Sequence, residues 1–421
     1  MDYTAPPGVA SGTIPAVRPP ILATFGVTLA ALCVLALAPR PAAAQSDPYP
    51  PIGDRAFVLD AYQGTTVGSY RIVGMGGTAL ATAEGAASLV AQPASAASRL
   101  ATWNDWFEWD WAVDTYAPDL STDYDNNGVT QGDSAGSTIA GNAALTLYFG
   151  HWGVGLSVVS ERRDFDLDTG EPASLDAEIL RFTLGRTFLD RELTVGATLA
   201  VGVLGLNVTE KGAAQSTPLV QAASSTLEAG ALWKPNGRDL RVGGRVSLPM
   251  YPGVAPQGCD PMDCAGYILP DHIEFPWSVG AGVAWRRGPT RWNTIVHDDF
   301  RDEQALTLAA DVVVTGQVAH GAGLEEFLAH RRQRSGRHVV ASLRGGAEYE
   351  WVPGWLRVRG GLYWEPGRFD DVGGRAHVTA GFDVRLWSFS FWGDRYRLRL
   401  SFAADAAARY GNVLGSLGFW H

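Results

Sequence analysis

Alternation between apolar and polar residues is the feature of this sequence that most limits its fold. In residues 338–351, HVVASLRGGAEYEW, one set of alternate positions carries valine, alanine, leucine and tryptophan, while the other carries serine, arginine and glutamate. Successive side chains of a β-strand point to opposite faces of its sheet, so this pattern predicts a strand with one apolar and one polar face. The same pattern recurs in 355–365, 375–391 and 394–408.

About fourteen such segments follow the first hundred residues, and bacterial transmembrane barrels have an even number of antiparallel strands of this length. The segments are 103–116, 137–149, 152–162, 175–189, 192–208, 217–234, 239–250, 272–287, 305–317, 338–351, 355–365, 375–391, 394–408 and 411–420. Except at 288–304, their connections alternate between short and long, as in outer-membrane proteins. The predicted fold class is therefore an all-β, transmembrane antiparallel β-barrel.

Aromatic residues cluster near the predicted short turns. They include Trp103, Trp106, Trp152, Trp233, Trp285, Trp351, Trp355, Trp387, Trp392 and Trp420. Tryptophan prefers the depth at which a membrane meets water, because its ring is apolar and its N–H is polar. The clustering favours a barrel in a membrane over a soluble sandwich.

The first 44 residues are predicted to be a secretory signal. An apolar run, Ile21–Ala38, follows Arg18, and small residues at Ala42 and Ala44 form a cleavage site. The alternative is a retained transmembrane anchor, since the run approaches spanning length. With the signal removed, residues 45–100 are left as an N-terminal segment and residues 101–421 as the barrel.

Charge and cysteine content restrict the partners. The net charge of −11 argues against nucleic acid, because no basic stripe is available to neutralise phosphates. Two cysteines follow the signal, Cys259 and Cys264, in CDPMDC. So close a pair in an oxidising compartment predicts a local disulfide with a structural role.

The N-terminal segment contains a glycine-rich stretch, VGMGGTALATAE, at Val73–Glu84. A dinucleotide-binding loop would need a buried strand before it and a βαβ unit around it, and neither flank supplies them. A barrel of this strand number encloses a lumen that its strands do not fill. Small residues let backbone pack closely in a confined space, so we predict that residues 45–100 form a hatch inside the barrel.

At this point the sequence resembles a known family. The residues that carry the resemblance are Gly68, Arg71, Gly74, Met75, Gly76, Gly77, Ala79, Ala81, Ala83, Gln92, Pro93 and Ala94, together with the hairpin LRGGAEYEWVPGWLRVRGGLYWEP. They are similar to the hatch signature and a strand pair of the FadL-type outer-membrane channels for long-chain fatty acids and other hydrophobic compounds. PorV-like relatives, which serve protein secretion, share the hatch motif.

The resemblance implies a fourteen-stranded barrel in the outer membrane of a diderm bacterium, preceded by a signal and a hatch. It implies passive uptake of hydrophobic compounds such as long-chain fatty acids, through a rearranged hatch or a lateral opening in the wall. The expected partners are outer-membrane lipids and hydrophobic small molecules, and we expect a monomer without enzymatic activity or cofactor. The alternative is a PorV-like scaffold or shuttle for secreted or surface proteins.

Two sets of residues are candidates for gating and ligand binding under this resemblance. The hatch glycines Gly74, Gly76 and Gly77 are candidates for gating. The arginines Arg344, Arg357 and Arg359 occupy the polar face of their strands and could hold an acidic head group. The alternative is that these arginines pair with Glu348, Glu350 or Asp383 inside the lumen.

The first long loop contains the start of a calcium-binding motif. Asp123, Asp125 and Asn127 place oxygens at the first, third and fifth positions and Gly128 at the sixth. The glutamate expected at the twelfth position is missing, and Ser134 stands there. The sequence therefore leaves two interpretations open, an Asx-rich turn and a structural calcium site in an outer loop.

The same loop contains G-x-S-x-G around Ser134, the motif of serine hydrolases. A nucleophile elbow needs a strand before the serine and a helix after it, whereas this motif precedes a predicted strand. A hydrolase is therefore the weakest of three functional hypotheses.

Overall fold

The computed structural model describes residues 49–420, apart from 63, 100–105, 119–122, 124, 129–137, 167–171, 210–216, 255–257, 296–299 and 392–393. The predicted signal, Ser134, Trp103 and Trp392 lie outside the described residues. In the described part of the chain, no helix is long and apolar enough to cross a membrane.

The structure is a closed antiparallel barrel of fourteen strands, which confirms the predicted fold class. The barrel strands are β2 (Phe107–Pro118), β3 (Thr138–Phe149), β4 (Trp152–Asp166), β5 (Pro172–Phe188), β6 (Leu193–Val208), β7 (Thr217–Trp233), β8 (Leu240–Ser247), β10 (Ser278–Arg287), β11 (Leu306–Thr315), β13 (Val340–Val352), β14 (Leu356–Glu365), β15 (Arg375–Phe391), β16 (Asp394–Ala407) and β17 (Tyr410–Phe419). Each strand pairs with its neighbours in this order, and β17 closes the barrel on β2.

Proline explains two of the places where a predicted strand boundary differs from the structure. The strand predicted at 239–250 ends at Ser247, because Pro249 has no N–H for the ladder. The strand predicted at 272–287 begins in the barrel at Ser278, after Pro276. Its first residues form a separate strand, β9 (His272–Glu274).

The two faces of the strands differ as the alternation predicts. On β13 and β14, Leu343 and Leu362 face outward and are 62% and 65% exposed, whereas Glu350 and Tyr363 face the lumen and are buried. Exposed leucine, valine and phenylalanine side chains cover the outside of the other strands as well. The barrel therefore has an apolar exterior and a polar interior, the reverse of a soluble protein.

One end of the barrel, which we call the short-turn rim, carries the tight connections and most of the exposed tryptophans. Its turns include 150–151, 189–192 and 353–355. The exposed aromatic residues at this rim include Trp106, Trp152, Phe188, Trp233, Trp285, Trp351, Trp355, Trp387 and Phe391. Trp420 departs from the predicted girdle, because it is buried beneath the guanidinium of Arg357, which lies 4.2 Å from the ring centroid.

The opposite end, the long-loop rim, is covered by a compact structure that the sequence did not predict. Strand β1 (Val58–Asp60) lies between β9 and β12 (Gly321–Ala322) and pairs with both in parallel. A short helix, α2 (Leu324–Leu328), packs beside this sheet, and Phe57, Tyr267 and Phe327 are in its apolar core. We call this assembly the outer cap.

The hatch, residues 61–99, fills the lumen between the outer cap and the short-turn rim. It contains α1 (Tyr70–Gly74) and two 3-10 turns, Ala86–Ser88 and Pro93–Ala97, all largely buried. Gln92 joins it to the wall, since its amide Nε2 donates to Leu80 O and to Gly244 O, each at 3.1 Å. The hatch therefore lies inside the lumen, whereas Val58–Asp60, which also belong to the predicted segment 45–100, are part of the outer cap.

Candidate functional site

A cavity of about 270 Å³ lies between the hatch and the barrel wall. The hatch contributes Ile72, Leu80 and Val90, and the loop after β8 contributes Met250. The wall contributes apolar residues of four strands and several charged residues that face the lumen: Val159, Ile179, Arg181, Ala200, Glu228, Arg245, Asp311, Val313 and Arg344. The cavity thus has a mainly apolar lining with a few fixed charges, which is typical of small-molecule sites.

The cavity lies behind a place where two wall strands separate. Strand β7 begins at Thr217, but its ladder with β8 covers only Glu228–Trp233. Leu248 N still donates to Leu227 O at 3.0 Å. Beyond Pro249 the chain continues along the segment that precedes β10, since Met250 and Phe275 exchange both backbone hydrogen bonds.

Apolar side chains mark both sides of this separation. Leu227 on β7 and Leu248 after β8 are 57% and 52% exposed on the outside of the barrel. Leu248, Met250 and Phe275 also contribute to the cavity lining. An apolar surface therefore runs from the exterior of the wall to the cavity.

Three charged side chains on neighbouring strands form a cluster in the cavity. Glu228 on β7 lies between two arginines, with Arg245 Nη2 at 3.1 Å and Arg181 Nε at 3.4 Å from its Oε1. Arg245 also donates through Nη1 to the hatch carbonyls of Val90 and Ala91, at 3.4 and 3.3 Å. The cluster connects the wall to the hatch beside the cavity.

The three arginines proposed from the sequence lie in different surroundings. Arg344 lines the cavity, where its Nη1 donates to Gly77 O at 3.2 Å. Arg359 is buried between Asp383 and Glu348, and Arg357 bonds to Glu350 at 3.1 Å. Arg357 and Arg359 thus make the lumen pairs that the sequence left as the alternative.

The three hatch glycines press against the wall. Gly76 has φ +63°, and a Cβ there would lie 2.6 Å from Gly345 O and from Leu362 N. Gly77 has φ +78°, and a Cβ there would lie 2.6 Å from Thr66 Oγ1. Gly74 is less confined, with Gly381 Cα at 3.4 Å. Glycine at 76 and 77 is thus explained by a left-handed backbone and by close approach to neighbouring groups.

Sequence reasoning missed most of the cavity residues. Arg181, Glu228 and Arg245 each stand on the polar face of a predicted strand, so their inward direction was available from the alternation. Contact between these three side chains could not be predicted, because it depends on the register of β5, β7 and β8. Met250 was assigned to a strand and lies instead in the loop that borders the cavity.

The described part of the acidic loop that suggested calcium contains an Asx turn, in which Asn127 N donates to Asp125 Oδ1 at 3.1 Å. Asp123 accepts hydrogen bonds from the backbone N–H groups of Asn127 and Gly128, at 2.8 and 3.0 Å. Asn127 Nδ2 donates to Glu325 of α2 at 2.7 Å, which joins this loop to the outer cap. In the described part of the chain, no group of three or more histidine, cysteine, aspartate or glutamate residues could hold a metal ion. Calcium binding by Asp123, Asp125 and Asn127 stays a prediction.

The other outer-loop candidate is the cysteine pair. Cys259 and Cys264 are joined by a disulfide, with their Cα atoms 5.1 Å apart. Cys264 is buried in the apolar core of the outer cap. The bond therefore holds a short loop against that core.

We expect the outer cap to loosen as pH rises. Burial, with the charge of Asp123 beside it, raises the pKa of Glu325 from 4.5 to about 7. A carboxyl whose folded pKa exceeds its unfolded value stabilises the fold when protonated, and this stability is lost between those two pH values. After correction for the intrinsic pH dependence of amide exchange, the amides of α2 should be more strongly protected at about pH 5 than at about pH 8.

Glu325→Gln should reduce this pH dependence and leave the part that comes from Asp125, whose pKa is also raised by burial. Asp271→Asn, at an exposed position, should preserve it. Equal protection of α2 at the two pH values in the wild-type protein would contradict the expectation. A metal site would be supported if calcium slows amide exchange at the higher pH in the wild-type protein and has no such effect in a variant without the Asp125 carboxylate.

The fold and the cavity together define a class: a closed fourteen-stranded barrel with an N-terminal hatch in its lumen and an apolar-lined cavity beside that hatch. The sequence matches no family model and no curated protein. Solved structures of FadL-family channels for hydrophobic compounds share this architecture.

Three of these structures illustrate the likeness. The CymD monoaromatic hydrocarbon channel is 12% identical, with a TM-score of 0.54 over 85% of this chain and 98% of that chain. A FadL homologue from Pseudomonas aeruginosa is 12% identical, with a TM-score of 0.50 over 84% and 97%. The deltaS2 mutant of the TodX monoaromatic hydrocarbon channel is 13% identical, with a TM-score of 0.51 over 85% and 99%. Identities this low establish a shared fold and nothing finer.

Proposed function

We propose that this protein is an outer-membrane channel for the passive uptake of hydrophobic compounds, long-chain fatty acids among them, in a diderm bacterium. The observation that carries the proposal is the position of the cavity, which lies behind the separation of β7 from β8 and beside the hatch. The neighbours of the same fold are channels for hydrophobic compounds, which supports this class of substrate. The protein acts as a monomer surrounded by lipid.

The physical basis of the route is the difference between the aqueous outer surface and the apolar place where β7 and β8 separate. A hydrophobic molecule crosses an aqueous, sugar-covered outer surface poorly, because its apolar area is costly to keep in water. In the cavity it is shielded by Ile72, Met250 and Val313. From there, the exposed leucines Leu227 and Leu248 lead toward the lipid without crossing the polar interior of the barrel.

Filling the cavity should block this uptake. Ala200 is fully buried and lines the cavity, so Ala200→Trp would occupy space that a ligand needs. We expect uptake of a labelled fatty acid into protein-containing liposomes to fall by more than about tenfold, which corresponds to a barrier increase of about 1.4 kcal/mol. The matched control is Ala197→Trp, on the same strand but facing outward, which should leave uptake unchanged.

Both variants should first be shown to migrate as folded barrels. Equal uptake by the two would exclude the cavity from the route. A wild-type protein that transports no hydrophobic compound and co-purifies with a bound polypeptide would favour the scaffold instead.

A further inference from the structure

The cavity carries more polar groups than a purely hydrocarbon ligand can use. Glu228 is 4% exposed and lies between Arg181 and Arg245. Elsewhere in the lining, Asp311 on β11 stands directly opposite Arg344 on β13. Moving charged groups out of water is costly, and a hydrocarbon returns none of that cost.

The hydrogen bonds of the Glu228 cluster are incomplete. Within the described residues, Arg181 Nη1 and Arg245 Nε are buried N–H donors without an acceptor, and Glu228 Oε2 is a buried acceptor without a donor. A buried polar group without a partner costs about 1–3 kcal/mol. The cluster therefore lacks a group that can both accept and donate.

We propose that the preferred ligand of this cavity is a neutral amphiphile whose head group both donates and accepts hydrogen bonds, such as the hydroxyl of an alcohol. The head lies at the Arg181–Glu228–Arg245 cluster, where it accepts from an arginine and donates to Glu228. The apolar body lies against Met250, Phe275 and Val313. This inference rests on the proposed function, since it names the substrate class of the same cavity.

Hydrogen-bond complementarity decides against the two simpler alternatives. A carboxylate could accept from the arginines and offset their excess positive charge, but it has no proton to donate to Glu228 Oε2, and its oxygens would stand beside that like-charged oxygen. An alkane would leave all three groups without partners. A hydroxyl supplies one donor and one acceptor and brings no charge.

The test compares octane, octanol and octanoate as ligands of the full-length protein in lipid nanodiscs, with native mass spectrometry counting bound molecules and empty nanodiscs as the reference. Octanol should bind the wild-type protein about tenfold more tightly than octane, the effect of one net hydrogen bond. Octanol should also bind more tightly than octanoate.

Substitutions of Glu228 and of Arg181 should change the relative affinities of the three compounds in different ways. Glu228→Gln should improve octanoate binding, because the repelling charge is removed. Arg181→Met should weaken octanol and octanoate together and leave octane unchanged. The matched controls are Glu178→Gln and Arg186→Met, at exposed positions of β5.

The outcomes separate the two proposals. Octane bound as tightly as octanol would overturn the head-group inference and leave the channel standing. If octanoate is the compound that the wild-type protein binds most tightly, the site selects an anion, and the proposal of a neutral head group is wrong. Absence of binding by all three compounds, in a protein that migrates as a folded barrel, would count against the proposed channel itself.

Discussion

Replacing Gly243 by alanine is expected to displace the hatch and to make the barrel leak. Gly243 lies on β8 and faces the lumen, and a Cβ there would stand 1.8 Å from Leu80 O and 2.4 Å from Leu80 C. These are backbone atoms of the hatch, so no side-chain rotation can relieve the overlap. Overpacking in a filled interior typically costs about 1–3 kcal/mol, and backbone on both sides places this substitution at the upper end.

The hatch meets the wall in the same way at other glycines. A Cβ at Gly153 would stand 1.8 Å from Ala96 O, at Gly196 2.2 Å from Pro93 O, and at Gly346 2.2 Å from Met75 O. These contacts lie on different strands around the lumen. Displacement at Gly243 should therefore disturb the fit of the whole hatch.

Liposome swelling with small sugars would measure the leak, and urea unfolding would measure the loss of stability. The control is Gly244→Ala, one residue further along β8, where the nearest atom to a new Cβ is Gly280 O at 3.5 Å. We expect that variant to behave as the wild-type protein does. Equal behaviour of the two variants would show that the hatch gives way easily at β8.

The barrel could be predicted from the sequence because each strand carries its own signal. Alternation at consecutive positions is local information, and it located all fourteen barrel strands, including β13 and β14 with their inward arginines. The hatch was predictable for a related reason, since its small residues suit a confined space. Neither prediction required knowledge of which segments meet.

The outer cap and the cavity could not be predicted in this way. Strand β1 has three residues, too few for a period to be seen, and its partners lie more than two hundred residues further along the chain. The cavity depends on where Pro249 turns the chain away from β7, which is a property of two strands in register. Sequence also showed which face Arg344 and Arg359 occupy, but not that Arg359 is fully paired.

Replacing Arg359 should cause the largest loss of stability among the lumen arginines. Its Nη1 and Nη2 donate to the two oxygens of Asp383, each at 2.6 Å, and its Nε donates to Glu348 at 2.6 Å. Arg71 of the hatch bonds to the other oxygen of Glu348 at 3.0 Å. The side chains of Arg359 and Asp383 are 1% and 0% exposed.

Arg359→Met leaves Asp383 buried without its bidentate partner. Removing one member of a buried ion pair costs about 3–5 kcal/mol, whereas replacing both by apolar residues is often close to neutral. The double variant Arg359→Met/Asp383→Leu should therefore recover much of the loss in urea unfolding, and a double-mutant cycle would isolate the coupling. Arg357→Met is the matched comparison, two residues along β14, where the arginine side chain is 17% exposed and its ion pair is longer.

The ion pair of Arg359 also contacts the hatch through Glu348, so amide exchange in the hatch gives a second measurement of this prediction. Glu348 is shared between Arg359 of the wall and Arg71 of the hatch, so a loosened Glu348 should increase amide exchange in α1. Arg357→Met should leave exchange in α1 unchanged, because its partner Glu350 bonds to the turn at Gly354 instead. If Arg359→Met and Arg357→Met lower stability equally and α1 stays protected in both, the shared carboxylate does not anchor the hatch.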